Sequence, residues 1–269
     1  MRVETGEAGI EYEVTGQGRP VILLHGFPDS GRLWRSQVPA LAAAGFRVIV
    51  PDLRGYGRSD KPETADSCSL ASLAGDVMAV LSDAGAERAH VVGHDWGAAL
   101  GWIFASLVPD RVDHLAVLSV GHPATFRRTL EQHEKSWYML LFQFAGVAEH
   151  WLSDDNWANF RRWARHPDAE AVIAELEATK SLTPALNWYR ANLPAESWVA
   201  PALALPPVQA PTMGIWSSGD MALTEVQMTD SAENVTGPWR YERVSGPGHW
   251  LQLEAPDTIN QLLLDFLPS

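Results

Sequence analysis

Between residues 10 and 122 the chain alternates short, β-rich apolar runs with longer stretches of helical periodicity. Val21-Ile22-Leu23-Leu24, Val48-Ile49-Val50, Val91-Val92 and Leu115-Ala116-Val117-Leu118 have no polar alternate, which predicts strands buried on both faces, as in a parallel sheet. Helices are predicted between them over residues 33–44, closed by Gly45, over about 69–84, before Gly85, and over 96–107, before Pro109. Beyond Pro123 the strand signal vanishes into a Trp-rich, charged, helix-biased region that reaches Trp198 and ends in a proline-dense connector over 201–211. The α/β texture then resumes, with strands over 212–216 and 240–244. A last amphipathic helix follows over 256–267, with Ile259, Leu262, Leu263 and Phe266 at helical spacing. The pattern predicts one α/β core, residues 1–122 and 205–269, with a mostly parallel sheet flanked by helices and a helical cap inserted over 123–204. There is no internal repeat and no low-complexity tract.

Composition narrows the partners. With 269 residues, 46% hydrophobic and 20% charged, the chain has the makings of a sizeable core and is not a disordered sequence. A formal net charge of -13 repels phosphate backbones and anionic lipid, so neither nucleic acid nor membrane is expected as a partner, and a small uncharged substrate fits better. Cys68 is the only cysteine, which excludes an internal disulfide, a Cys-based zinc site and a CxxC redox pair. The acidic start, Met1-Arg2-Val3-Glu4-Thr5-Gly6-Glu7, lacks the pattern of a signal peptide, and no apolar run is long enough to span a bilayer; a cytoplasmic protein is expected. Lysine occurs only at 61, 135 and 180 while arginine and alanine are frequent, as in a GC-rich bacterial genome.

Four segments carry chemistry. Val91-Val92 runs into Gly93-His94-Asp95-Trp96-Gly97-Ala98 and then a predicted helix, the strand-turn-helix setting of a nucleophile elbow with Asp at its centre. By itself this also fits an ordinary Gly-rich turn whose Asp caps the helix. Gly246-Pro247-Gly248-His249-Trp250 follows a late strand, and its flanking glycines suit a loop that projects an imidazole into a cleft. Asp220, in Ile215-Trp216-Ser217-Ser218-Gly219-Asp220, follows the preceding strand, so the chain order is nucleophile, acid, histidine. His25-Gly26-Phe27-Pro28, at the end of an early strand, is a turn able to aim a backbone N–H at an oxyanion. All four lie on strand ends, and Asp95, Asp220 and His249 come in the chain order a catalytic triad requires.

These segments, together with Asp52-Leu53-Arg54-Gly55-Tyr56-Gly57-Arg58-Ser59, resemble the α/β-hydrolase-fold epoxide hydrolases over nearly the whole chain. The Asp-centred elbow is the selective element; many hydrolases with other nucleophiles carry a version of the Asp52–Ser59 segment. One small departure is Ala98, where many relatives have a second glycine. The resemblance implies two cap tyrosines over the nucleophile. Tyr189, in Leu186-Asn187-Trp188-Tyr189-Arg190, resembles one; Tyr138, in Tyr138-Met139-Leu140-Leu141-Phe142-Gln143 followed by Gly146-Val147-Ala148-Glu149, resembles the other.

It further implies an epoxide opened to a vicinal diol through an ester on Asp95. Tyr138 and Tyr189 would donate to the ring oxygen, His249 would activate water, Asp220 would hold the imidazole, and the backbone N–H groups of Phe27 and Trp96 would form the oxyanion hole. No metal or organic cofactor is implied. A small hydrophobic, aromatic-compatible substrate is expected, with Phe27, Trp96, Trp137, Phe142, Trp188 and Trp250 lining its pocket; either a monomer or a homodimer is compatible. The competing resemblance is to haloalkane dehalogenases, which share the Asp, His and acid and place a Trp after the nucleophile. Those enzymes usually carry Asn where this chain has Phe27, and they need no tyrosine pair. Haloacetate dehalogenases usually have Arg where Trp96 stands. A non-catalytic binding protein of the same fold is the third alternative, and an intact triad argues against it.

Overall fold

The computed structural model describes residues 1–126, 129–201 and 203–269. The apolar runs form the middle of an eight-stranded sheet built from β1 (Arg2–Glu4), β2 (Gly9–Thr15), β3 (Arg19–Leu24), β4 (Phe46–Pro51), β5 (Ala89–His94), β6 (Val112–Leu118), β7 (Thr212–Ser217) and β8 (Trp239–Val244). The spatial order is β1-β2-β4-β3-β5-β6-β7-β8. β3 to β8 pair in parallel, whereas β2 is antiparallel to both β1 and β4. Every residue of β5 and β7 is buried, which is why these strands read as unbroken apolar or small-residue runs. β1 and β2 lie beyond the predicted strands: Gly9-Ile10-Glu11-Tyr12-Glu13-Val14-Thr15 alternates polar and apolar residues, because this antiparallel margin is solvated on one face.

The core helices are α1 (Gln37–Ala43), α2 (Leu70–Asp83) and α3 (Trp96–Leu107). The helix expected over 33–44 is split, with a 3-10 turn at Gly31–Trp34 ahead of α1. Between β6 and β7 come α4 (Leu130–Lys135), α5 (Trp137–Leu141), α6 (Val147–Ala164, interrupted by non-helical backbone at Asp154, Asp155, Asn156 and Trp157), α7 (Ala169–Thr179) and α8 (Leu182–Asn192), and no strand among the described residues. After β7 follow α9 (Glu225–Thr229), α10 (Leu251–Glu254) and α11 (Pro256–Phe266). Packing of α1 against α11 and of α2 against α3 covers the two faces of the sheet.

This order fixes where a ligand belongs. From β3 the chain moves outward to β4 and then crosses back to β5 on the other side, so β3 and β5 are neighbours whose following helices diverge. A crevice opens at such a switch point, at the carboxyl ends of the strands. His25-Gly26-Phe27 and Asp95 are the residues at those two ends. The helical segment between β6 and β7 is fastened over this edge by buried and half-buried polar contacts. The Trp188 indole N–H donates to Arg54 O (2.9 Å), Gln132 accepts from Thr224 N (2.8 Å) and donates to Ala222 O (2.8 Å), and Asn192 donates to Cys68 O (2.8 Å). The Asp52–Ser59 stretch is a brace for the loop after β4. Buried Arg54 clasps buried Asp76 with two hydrogen bonds of 2.8 and 2.6 Å, and Asp52 accepts the backbone N–H groups of Gly31 and Arg58 at 3.0 Å each.

Candidate active site

Asp95 joins β5 to α3 with φ 53° and ψ -122°, a conformation that a residue with a Cβ seldom adopts. The turn is possible because its neighbours lack side chains. A Cβ on Gly97 would lie 2.0 Å from Leu24 O, and one on Gly93 would lie 2.3 Å from Gly97 O. The Asp95 carboxylate makes no helix cap. Instead Oδ1 accepts the Phe27 N–H at 2.7 Å, and Oδ2 lies 3.5 Å from His249 Nε2. The helix-cap alternative for this turn is thereby excluded. Gly26 permits the approach, since a Cβ there would meet Asp95 Oδ1 at 2.3 Å.

His249 donates through Nδ1 to Asp220 Oδ2 at 2.9 Å, and Asp220 Oδ1 accepts the N–H groups of Ala222 and Leu223 at 2.8 and 2.9 Å. Burial opposes charge on both partners. The Asp220 and Asp95 carboxylates outweigh it at His249, raising the imidazole to about 10; the His249 charge, its hydrogen bond and the two N–H groups outweigh it at Asp220, whose carboxyl falls below its ordinary value. The two side chains that flank the ring thus favour its charged form.

Two supports of this row carried no signal in the sequence. His94 Nε2 (2.9 Å) and Ser119 Oγ (3.0 Å) both hold the backbone carbonyl of His249. Burial, and next the His249 charge, push His94 down to about 4, so it stays neutral and serves as a donor. On the other side Trp250 Nε1 donates to Asp29 Oδ2 (2.9 Å), and His166 Nε2 lies 3.1 Å from Asp29 Oδ1. Since His166 Nδ1 accepts the Asp168 N–H at 2.9 Å, the Asp29 side of the ring carries the proton. His166 belongs to the stretch between α6 and α7, so this buried contact ties the helical segment to the loop after β3, and through Trp250 to the loop of His249.

Tyr138 from α5 and Tyr189 from α8 are buried, with ring centroids 6.1 Å apart. Burial, and then the nearby Asp95 charge, push both phenols well above their ordinary value; at Tyr189 a side-chain hydrogen bond with Trp96 acts the other way. Both therefore hold their protons at neutral pH. Asp95, Tyr138 and Tyr189 stand where two cavities meet. One has a volume of about 210 Å³ and runs toward Trp198 and Leu203; the other, of about 20 Å³, reaches Phe27, His249 and Trp250.

The expected pocket lining is half corrected. Trp96 lines the large cavity, and Phe27 and Trp250 line the small one. Trp137, Phe142 and Trp188 line neither. Trp137 is 46% exposed and packs outward on Trp151. Trp188 is spent on Arg54 O and on the Tyr56 and Trp96 rings, and Phe142 backs the wall behind Phe27, Tyr138 and Tyr189. The reason is helical rotation: Trp137 and Trp188 each precede a cavity tyrosine by one residue, about 100° around the helix. Large-cavity residues that sequence reasoning missed include Leu70, Val120, Phe126, Met139 and Leu203, which look like any other apolar residues in the chain. Among the described residues no group of three or more His, Cys, Asp or Glu could hold a metal ion, and no helix is long and apolar enough to cross a membrane.

Comparison with known proteins identifies the family. Residues 19–256 match the alpha/beta hydrolase fold family. Epoxide hydrolase A of Mycobacterium tuberculosis is 34% identical, covering 96% of this chain and 94% of its own. Among solved structures, epoxide hydrolase A from Mycobacterium thermoresistibile superposes with a TM-score of 0.84 at 32% identity, over 99% of this chain and 97% of the other. A Bacillus megaterium epoxide hydrolase in complex with an inhibitor reaches 0.90 at 27%, over 99% of each chain. By its sequence, its sheet and these relatives, the chain belongs to the α/β-hydrolase-fold family of epoxide hydrolases.

Proposed function

We propose that the protein hydrolyses an epoxide to a vicinal diol through an alkyl ester on Asp95, under the helical segment acting as a cap. The observation that carries the reading is a carboxylate faced, across one cavity junction, by two buried phenols that keep their protons. A carboxylate is a weak nucleophile in water, but ring strain and alignment let it open an oxirane when the departing oxygen receives a proton. Asp95 Oδ1 is held by the Phe27 N–H, which leaves Oδ2 to attack. Tyr138 and Tyr189 donate to the ring oxygen. Alkylation removes the Asp95 charge and with it one of the two carboxylates that hold the His249 proton. The imidazole then gives that proton, through water, to the tyrosinate that ring opening leaves, and the neutral ring can deprotonate the attacking water, with Asp220 stabilising the cation that re-forms and that protonates the departing diol oxygen. As water adds to the ester carbon, negative charge develops on Oδ1, where the N–H groups of Phe27 and Trp96 receive it.

Single turnover in water labelled with heavy oxygen tests the scheme. Label is expected first in the Asp95 carboxylate, because the acyl–oxygen bond is the one that breaks, and His249→Gln is expected to accumulate the ester. Label appearing only in the diol during the first turnover would sink the nucleophile assignment. Halide release from haloalkanes outpacing diol formation would replace this reading with a dehalogenase.

A further inference from the structure

Asp95, Tyr138 and Tyr189 each line both cavities, so an oxirane held between the carboxylate and the phenols straddles the junction. Its two ring carbons then face very unequal spaces. On one side lie about 210 Å³ walled largely by apolar groups, among them Val120, Phe126, Met139 and Trp198. On the other lie about 20 Å³ closed by Phe27, Trp163 and Trp250. The smaller volume is little more than one water requires. His249 lines it and lines no part of the larger cavity.

Resting on the aspartyl-ester reading above, we propose that the substrates are terminal epoxides: one ring carbon carries a single apolar, aryl-sized arm that fills the large cavity, and the other is unsubstituted. Trp163 and Phe27 enforce this choice by reserving the small cavity for the water that His249 activates. Two physical effects act together. A substituent on the second carbon meets a close-packed aromatic wall, in which Trp163 lies 4.8 Å from Tyr138 and 6.4 Å from Phe27 between ring centroids. If it does enter, it displaces the water needed for the second half-reaction, and the ester stalls.

Styrene oxide and trans-β-methylstyrene oxide differ by one methyl on that second carbon, and diol formation from each measures the effect. The methylated substrate is expected to show kcat/KM lower by about 10- to 200-fold, the range for one misfit methyl-sized group, and to build up ester on Asp95. Trp163→Ala is expected to shrink the ratio to within about fivefold; Trp163→Phe, a milder truncation, is expected to move it the same way and serves if the alanine variant does not fold. Equal kcat/KM for the two substrates in the unmutated enzyme would overturn the selectivity while leaving the epoxide hydrolase reading intact. Folded Trp163 variants that keep the original ratio would overturn the part given to that residue. Diol from neither epoxide would remove the underlying reading and this inference with it.

Discussion

His249 lies between Asp220, 2.9 Å from Nδ1, and Asp95, whose Oδ2 is 3.5 Å from Nε2. Its raised titration, from 6.5 to about 10, has a consequence for stability whose sign is fixed. The folded state holds the proton more tightly than the unfolded chain, so the contribution is fully present below about pH 6.5 and is lost as pH rises through about 10. The melting temperature of the unmutated protein, compared with that of His249→Gln, is expected to fall across this window; a constant difference would show that the imidazole is neutral throughout. The tyrosines supply a second prediction. Tyr138→Phe and Tyr189→Phe keep ring packing and remove one proton donor each, so each is expected to slow Asp95 alkylation by roughly ten- to a thousandfold, with the double variant nearly inactive on epoxides. Stopped-flow measurement of ester formation decides it, and unchanged rates would make the pair structural. As candidates, Asp95, His249 and Asp220 were legible from short motifs at strand ends, and Tyr138 and Tyr189 from the resemblance of their segments to epoxide hydrolases. Asp29, His94, Ser119 and His166 were not, since their contacts with the His249 loop and the helical segment arise only when distant parts of the chain meet.

At the scale of elements, the turn from β5 to α3 is the tightest constraint around Asp95. Adding one methyl at Gly97 would bring it within 2.0 Å of Leu24 O, a backbone atom that no rotamer change can move. Gly75 in α2 is exposed, with nothing within 4 Å of a Cβ. The same substitution should therefore have opposite signs. Gly97→Ala is expected to destabilise by about 1–3 kcal/mol and to abolish activity, while Gly75→Ala is expected to stabilise by about 0.4–1 kcal/mol. Denaturant unfolding of both variants checks this, and a stable, active Gly97→Ala enzyme would refute the account of the elbow. The elements themselves were legible in proportion to their burial. β3 to β6 and α3 follow from runs of Val, Ile, Leu and small residues that a double-sided burial demands. β1 and β2 lie on the solvated antiparallel margin, where alternating Glu residues dilute the apolar signal. In the helical segment the identity of a tryptophan says nothing of the direction its side chain takes, which is why Trp137 and Trp188 were expected in a cavity whose wall is formed by their neighbours Tyr138 and Tyr189.

The whole molecule adds a field that no single element carries. The formal net charge is -13, and among the described residues lining the two cavities Asp95 is the only carboxylate and His249 the only basic side chain. A neutral epoxide approaches without electrostatic cost, whereas one bearing a carboxylate must enter against the potential of the molecule and then settle beside Asp95. Screening separates these contributions. Raising ionic strength from 0.01 to 0.15 M shortens the Debye length from about 30 to about 8 Å, which weakens the long-range field but leaves the contact with Asp95 nearly untouched. The kcat/KM of an epoxide with a carboxylated arm is thus expected to rise severalfold with salt while staying below that of its methyl ester, and the ester itself is expected to change by less than about twofold. Salt-independent turnover of the carboxylated substrate at the same rate as the ester would mean that neither the net charge nor the Asp95 carboxylate governs which epoxides this cavity accepts.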